Sequence, residues 1–132
     1  MSAVQTKSAP PAVLPDRTPP AASPLSIKDH AVLSKGPRVL RGSFSDARVV
    51  KLRLTKRVGK RCWYFSGRSE RFKRIGCGKG AYFAIGDKAS WSYLLPSRLG
   101  PGRYVLDAVA IDSSGNRTPL ARGTTRVVFS VR

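Results

Sequence analysis

Val50, Leu52 and Leu54 alternate with Lys51, Arg53 and Thr55 in the cleanest period-two stretch of the chain. Period two is the repeat of a pleated strand with one buried face, so this strand is expected to turn an apolar face inward and a basic face outward. A second strand is read from Arg103 to Ile111, where apolar and β-branched residues suit a largely buried position. Gly100-Pro101-Gly102 breaks the chain before it, and Asp112-Ser-Ser-Gly-Asn116 reverses it afterwards. Val39 to Ser45 alternates less cleanly, and Leu40 and Phe44 are assigned to its inner side. Leu25-Ser26-Ile27 reads as a short edge strand. Cys62–Ser66 and Arg71–Ile75 flank the turn Gly67–Glu70, and counting outward from it sets Phe65 opposite Phe72 and Cys62 opposite Ile75. Ala81–Ile85 and Trp91–Leu95 are short apolar strands, with Trp91, Tyr93 and Leu95 on one face. The last strand, Thr124–Val131, puts Val127, Phe129 and Val131 on one side. Many short strands with turn signals and no helical period predict an all-β, antiparallel sandwich.

Six of the ten prolines fall within residues 1–24, among Ala, Ser and Thr with no apolar period, and predict a disordered linker or tail. Residues 25–132 are then one domain. Its expected core is Leu40, Phe44, Val50, Leu52, Leu54, Trp91, Tyr93, Tyr104, Leu106, Ala108, Ala110, Val127 and Phe129. Tyr104 opens the long strand just after Gly-Pro-Gly. This is where the tyrosine corner of an immunoglobulin-like sandwich stands, its hydroxyl bonded to backbone a few residues upstream.

Gly102-Arg-Tyr104, Ala110-Ile-Asp112 and Gly115-Asn116 resemble the G-x-Y…A-x-D-x-x-G-N ending of bacterial immunoglobulin-like (Big-type) domains of secreted and cell-surface proteins. Asp16-Arg-Thr-Pro-Pro20 resembles the D-x-T-P-P linker ahead of those domains. Arg41-Gly-Ser-Phe-Ser-Asp46 resembles their second strand and its exit, and Trp91-Ser-Tyr93 the W-S-Y strand before the corner. The matches run from residue 16 to 132. The segment from Lys56 to Ser90 departs by being longer and carrying both cysteines, so an enlarged middle hairpin is expected. The resemblance implies an immunoglobulin-like β-sandwich in a secreted or cell-envelope protein, with neighbouring domains of a longer chain as partners. Residues 1–24 hold no apolar signal core, so under this resemblance the sequence is a piece of something longer; a cytosolic protein is the other reading.

Charge changes the picture most. Lys and Arg number 25 against 7 acidic residues, a net +18, which favours polyanionic partners beyond what solubility needs. Twelve of these bases lie between Arg48 and Lys79, opposed there only by Glu70. Lys56, Arg57, Lys60, Arg61, Arg71, Lys73 and Arg74, with Trp63 among them, form the candidate ligand-binding set. Their ligand would be a cell-wall polymer, an acidic polysaccharide or nucleic acid. A solvated basic hairpin whose aromatics are core residues is the competing reading. Cys62 and Cys77 are expected to form a disulfide that closes a loop of about 15 residues, worth roughly 3 kcal/mol by loop-closure entropy. A bulge at Gly76 would bring the sulfurs together, and the bond implies an oxidising compartment. Two buried free thiols are the alternative, and reduced cysteines would admit the cytoplasm.

Catalysis finds no support. His30 is the one histidine, the carboxylates are scattered singly, and neither a nucleophile elbow nor a Cys–His arrangement is present, so no catalytic residue, metal ligand or cofactor is assigned. Gly76-Cys-Gly78-Lys-Gly80 lacks phosphate-loop spacing and reads as a turn, as do Asp112 and Asn116. Asp107 is expected to face outward beside Lys51, Arg53 or Arg126 as a cross-strand ion pair. No apolar run is long enough to cross a membrane as a helix. These observations predict a non-catalytic spacer or adhesive module, with a nucleic-acid-binding protein as the alternative.

Overall fold

The structure, a computed structural model, describes residues 16–132, so most of the Pro-rich segment expected to be a linker lies outside the described residues. Ten strands follow in order: β1 (Ala22–Ser23), β2 (Val32–Leu33), β3 (Val39–Phe44), β4 (Val49–Val58), β5 (Arg61–Ser66), β6 (Arg71–Ile75), β7 (Phe83–Gly86), β8 (Ser90–Leu94), β9 (Gly102–Ile111) and β10 (Arg126–Val131). No helix occurs among the described residues. Two sheets pack as a sandwich. The smaller has the order β1-β3-β8; the larger runs β2-β10-β9-β4-β5-β6, with β7 also paired to β4.

β4 and β9 form the spine. They pair antiparallel over their whole length, with Val50 opposite Ala110, Leu52 opposite Ala108, Leu54 opposite Leu106 and Lys56 opposite Tyr104. Even-numbered residues of both strands therefore face the smaller sheet, and from Val50 to Leu54 and from Tyr104 to Ala110 all of them are buried; at the other end Lys56 and Gly102 are partly exposed and Val58 is exposed. On its other edge β4 takes β7 at Val50–Leu52 and β5 at Thr55–Val58, which lets one ten-residue strand carry two short partners. Leu40, Phe44, Trp91 and Leu95 supply the core from the opposite sheet, as the alternation predicts. Tyr93 is only half-buried, because its hydroxyl reaches outward to donate to Glu70 Oε2 at 2.8 Å. Gly42 is required by close approach: a Cβ there would lie 2.7 Å from the Trp91 ring.

One element of the sequence reading is corrected and three others hold. Leu25–Ile27 is not a strand but a bend with both apolar side chains buried; its Ser26 amide donates to Arg41 O at 3.0 Å. Three residues with two inward side chains satisfy period two without forming a ladder, and the short strand beside β3 lies just upstream at Ala22–Ser23. The bond to upstream backbone expected of Tyr104 is present: its OH donates to Gly100 O at 2.6 Å. The hairpin register also holds, with Phe65 opposite Phe72 and Cys62 opposite Ile75. Cys62 and Cys77 are joined in a disulfide with a Cα separation of 5.2 Å. Such a bond belongs to an oxidising, extracellular type of environment.

Candidate functional site

A pleated strand sends neighbouring residues to opposite faces, so the run of bases in the middle hairpin is divided. Lys56 pairs with Trp63 and Trp63 with Arg74, which places these three on the core side of the sheet, where β4–β6 extend beyond the smaller sheet. There the Lys56 ammonium lies 5.9 Å from the Trp63 ring, 5.6 Å from Phe72 and 5.8 Å from Tyr104, and the Arg74 guanidinium lies 5.4 Å from Trp63. Alternation sends Arg61 to this side as well. Arg57 and Lys73 face outward, Lys60 sits in the β4–β5 turn, and Arg71 begins β6 beside the turn at Glu70. The eight residues thus form two groups on two faces rather than one patch.

A different assembly occupies the outer face. A groove of about 340 Å³ runs over β4, β9 and β10, floored by Thr55, Val105, Asp107 and Val128. The disulfide-held segment Cys77–Lys79 forms one wall and Arg122 stands on the other. Arg53, Arg57, Arg103 and Arg126 enter it from strands, Arg57 and Arg103 being Cα partners across β4 and β9. Only Asp107 opposes them within the groove. It lies between Arg53 and Arg126, as the cross-strand expectation has it, but it is not a solvent-facing carboxylate. The two guanidinium groups cover it, so it is 1% exposed, and Lys51, aligned with Val109, is not its partner. Arg53 Nη2 donates to Asp107 Oδ2 at 2.7 Å and Arg126 Nε to Oδ1 at 2.6 Å. The hydrogen bond to Asp107 raises the Arg126 pKa above its ordinary value, against the effect of burial.

The rim is ordered as well. Asp29 accepts the Val128 amide at 2.7 Å, and this bond, with help from Arg122, holds its carboxyl below the usual range although burial works the other way. Asp29 in turn binds the Arg122 guanidinium at 3.1 Å. On the β7 side the Tyr82 ring is engaged by two guanidinium groups, Arg53 at 4.6 Å and Arg117 at 4.9 Å from its centroid. By contrast, Arg57, Lys79 and Arg103 make no ion pair with any carboxylate among the described residues. Arg57 donates only to Gly59 O, at 2.9 Å.

Sequence reasoning did not single out Arg103, Arg122 and Arg126 as members of a site. The signal was present but dispersed: Arg103 and Asp107 share an outward parity on one strand, and Arg126 has that parity on the strand expected beside it. His30, 79% exposed on its side chain, lies 3.2 Å from the Asp29 carboxylate in a loop at the groove's far rim. No group of three or more metal-ligating side chains occurs among the described residues. No family model, curated protein or solved structure matches the chain.

Proposed function

We propose that this chain is a non-catalytic, immunoglobulin-like module of a secreted or cell-envelope protein, and that it binds polyanions on the outer face of its larger sheet. The immunoglobulin-like assignment is supported by the two-sheet packing, the Tyr104 to Gly100 bond and the sequence resemblance around it. The binding assignment is carried by one observation: Arg57, Lys79 and Arg103 converge on a groove without a carboxylate partner among the described residues, beside two arginines fixed on Asp107. Positive charges held together without counter-charges are relieved by an anionic ligand, and the fixed pair loses little side-chain freedom on binding it. A nucleic-acid-binding protein is the second reading, favoured by Trp63 lying against Lys56 and Arg74 on the other face.

Fluorescence titration with labelled heparin and labelled single-stranded DNA, at low and at moderate salt, tests the class. Binding of either at low salt that weakens steeply as salt rises is the expected result, because counterion release dominates such association. Absence of binding to both at low salt refutes the polyanion reading and leaves a spacer.

A further inference from the structure

The outer groove also carries information about which polyanion it accepts. Resting on the polyanion reading, we infer that its ligand is a linear anionic polysaccharide, bound through sulfate or carboxylate groups, and not a nucleic acid. Three observations lead there.

No aromatic ring lines the groove. Single-stranded nucleic acid is held by bases stacking on exposed rings above a basic track, and this track has no platform. Tyr82, the ring beside Arg53, is already occupied by two guanidinium groups. Trp63 and Phe72 project from the other side of the sheet, so one strand cannot lie in the groove and stack on them at the same time. A duplex is read by an element that enters its major groove, and here the basic surface is recessed between two walls rather than raised on a helix or ribbon.

The floor is apolar in part, where a phosphate backbone would offer nothing to bury. Half-buried Val105, with the small uncovered part of Val128 beside it, lies between the cationic side chains, a surface matched to the C–H face of a sugar ring whose acidic substituents reach the rim. The cations also fall into two sets. Arg53 and Arg126 sit on Asp107; Arg57 and Arg103 lie four residues further along β4, about 13 Å at the rise of a strand, and Lys79 joins the lining from the disulfide-held segment. Arg53 and Arg126 spend Nε and Nη2 on Asp107 and keep one net positive charge there, whereas Arg103 and Arg57 retain guanidinium N–H groups for the paired bonds that sulfate and carboxylate accept; two separated cationic centres favour an extended chain with anionic groups at intervals.

The test compares heparin oligosaccharide and single-stranded DNA of equal charge number on the same disulfide-intact protein. Heparin is expected to bind at least about tenfold more tightly at moderate salt, since the DNA lacks its stacking term here. A triple variant, Arg57→Gln, Lys79→Gln and Arg103→Gln, is expected to lower heparin affinity and to flatten the slope of log K against log salt by about two to three, one counterion per lost contact. All three side chains are exposed, so circular dichroism should report an unchanged fold. Trp63→Ala is expected to leave heparin affinity unchanged. DNA binding as tight as heparin, or a loss on Trp63→Ala with none in the triple variant, overturns the polysaccharide assignment while sparing polyanion binding. Failure of both ligands at low salt removes both.

Discussion

Asp107 and Tyr104, both on β9, each combine burial with a polar bond. Removing the Asp107 carboxylate leaves two guanidinium groups facing each other over β9 without a counter-charge. Asp107→Ala is therefore expected to cost about 2 to 3 kcal/mol in urea unfolding, less than for a fully buried pair because both arginines retain access to water. Tyr104 makes a different prediction, in pH. Burial pushes its phenol up to about 12, and burial followed by the bond to Glu70 pushes Tyr93 up to about 12 as well. A folded-state pKa above the unfolded value of 10 means that the folded state holds its proton longer. The stability from this source is complete below pH 10 and is lost as pH rises from 10 towards 12. Thermal unfolding of the disulfide-bonded protein should fall through that window, and the fall should be shallower in Tyr104→Phe, which at neutral pH costs about 1 kcal/mol for the bond to Gly100. A fall of equal steepness in the variant would remove Tyr104 as its source. The Tyr104 to Gly100 bond was legible because a tyrosine after Gly-Pro-Gly at the head of a buried strand has few other reasons to be there. The covering of Asp107 was not, since parity tells which face a side chain leaves from and not what folds over it.

Among the elements, the β5–β6 hairpin shows why some of the structure could be read and some could not. Its register followed from the turn alone, because pairing outward from Gly67–Glu70 is arithmetic once the strands are recognised. The disposition of its charges did not follow from their density. Consecutive bases such as Lys56-Arg57 and Lys73-Arg74 look like one cluster in a linear count, yet the pleat sends each pair to opposite faces. The groove that results is assembled from the β4–β9–β10 surface and the Cys77–Lys79 segment, and that segment has almost no apolar surface to hold it in place. What holds it is the bond to Cys62. Cys62→Ser with Cys77→Ser is expected to lose about 3 kcal/mol of global stability. It should also lose more locally: amide exchange should accelerate across Arg71–Gly80, where β6 is a free edge, while β9 stays protected to the global limit. Lys79 then loses its fixed position on the wall, so heparin affinity should fall even under conditions where the variant remains folded.

At the scale of the whole molecule the dominant quantity is charge, and it predicts a change of sign. With 25 bases against 7 acids the whole chain carries a net +18, folding gathers nearly all of it into one small domain, and the unfolded chain relieves that repulsion by expanding. Added salt shortens the reach of these forces from about 30 Å at 0.01 M to about 8 Å at physiological strength, which weakens repulsion between distant exposed charges far more than the short contacts of Asp107 beneath its two arginines. The free protein should therefore become more stable as salt rises over this range, read as an increase in the midpoint of thermal unfolding. With a saturating polyanion the dependence reverses. Ligand bound to the folded state adds stability in proportion to the logarithm of its concentration over Kd, and counterion release makes Kd rise steeply with salt. The midpoint should then be highest at low salt and decline towards the curve of the free protein. The two series converge at high salt if the gain is electrostatic binding to the folded domain. A midpoint raised by heparin at every salt concentration would mean a contact that is not mainly ionic. A midpoint lowered by heparin would mean that the unfolded, equally basic chain is the better ligand, and that the fold does nothing to present its charge.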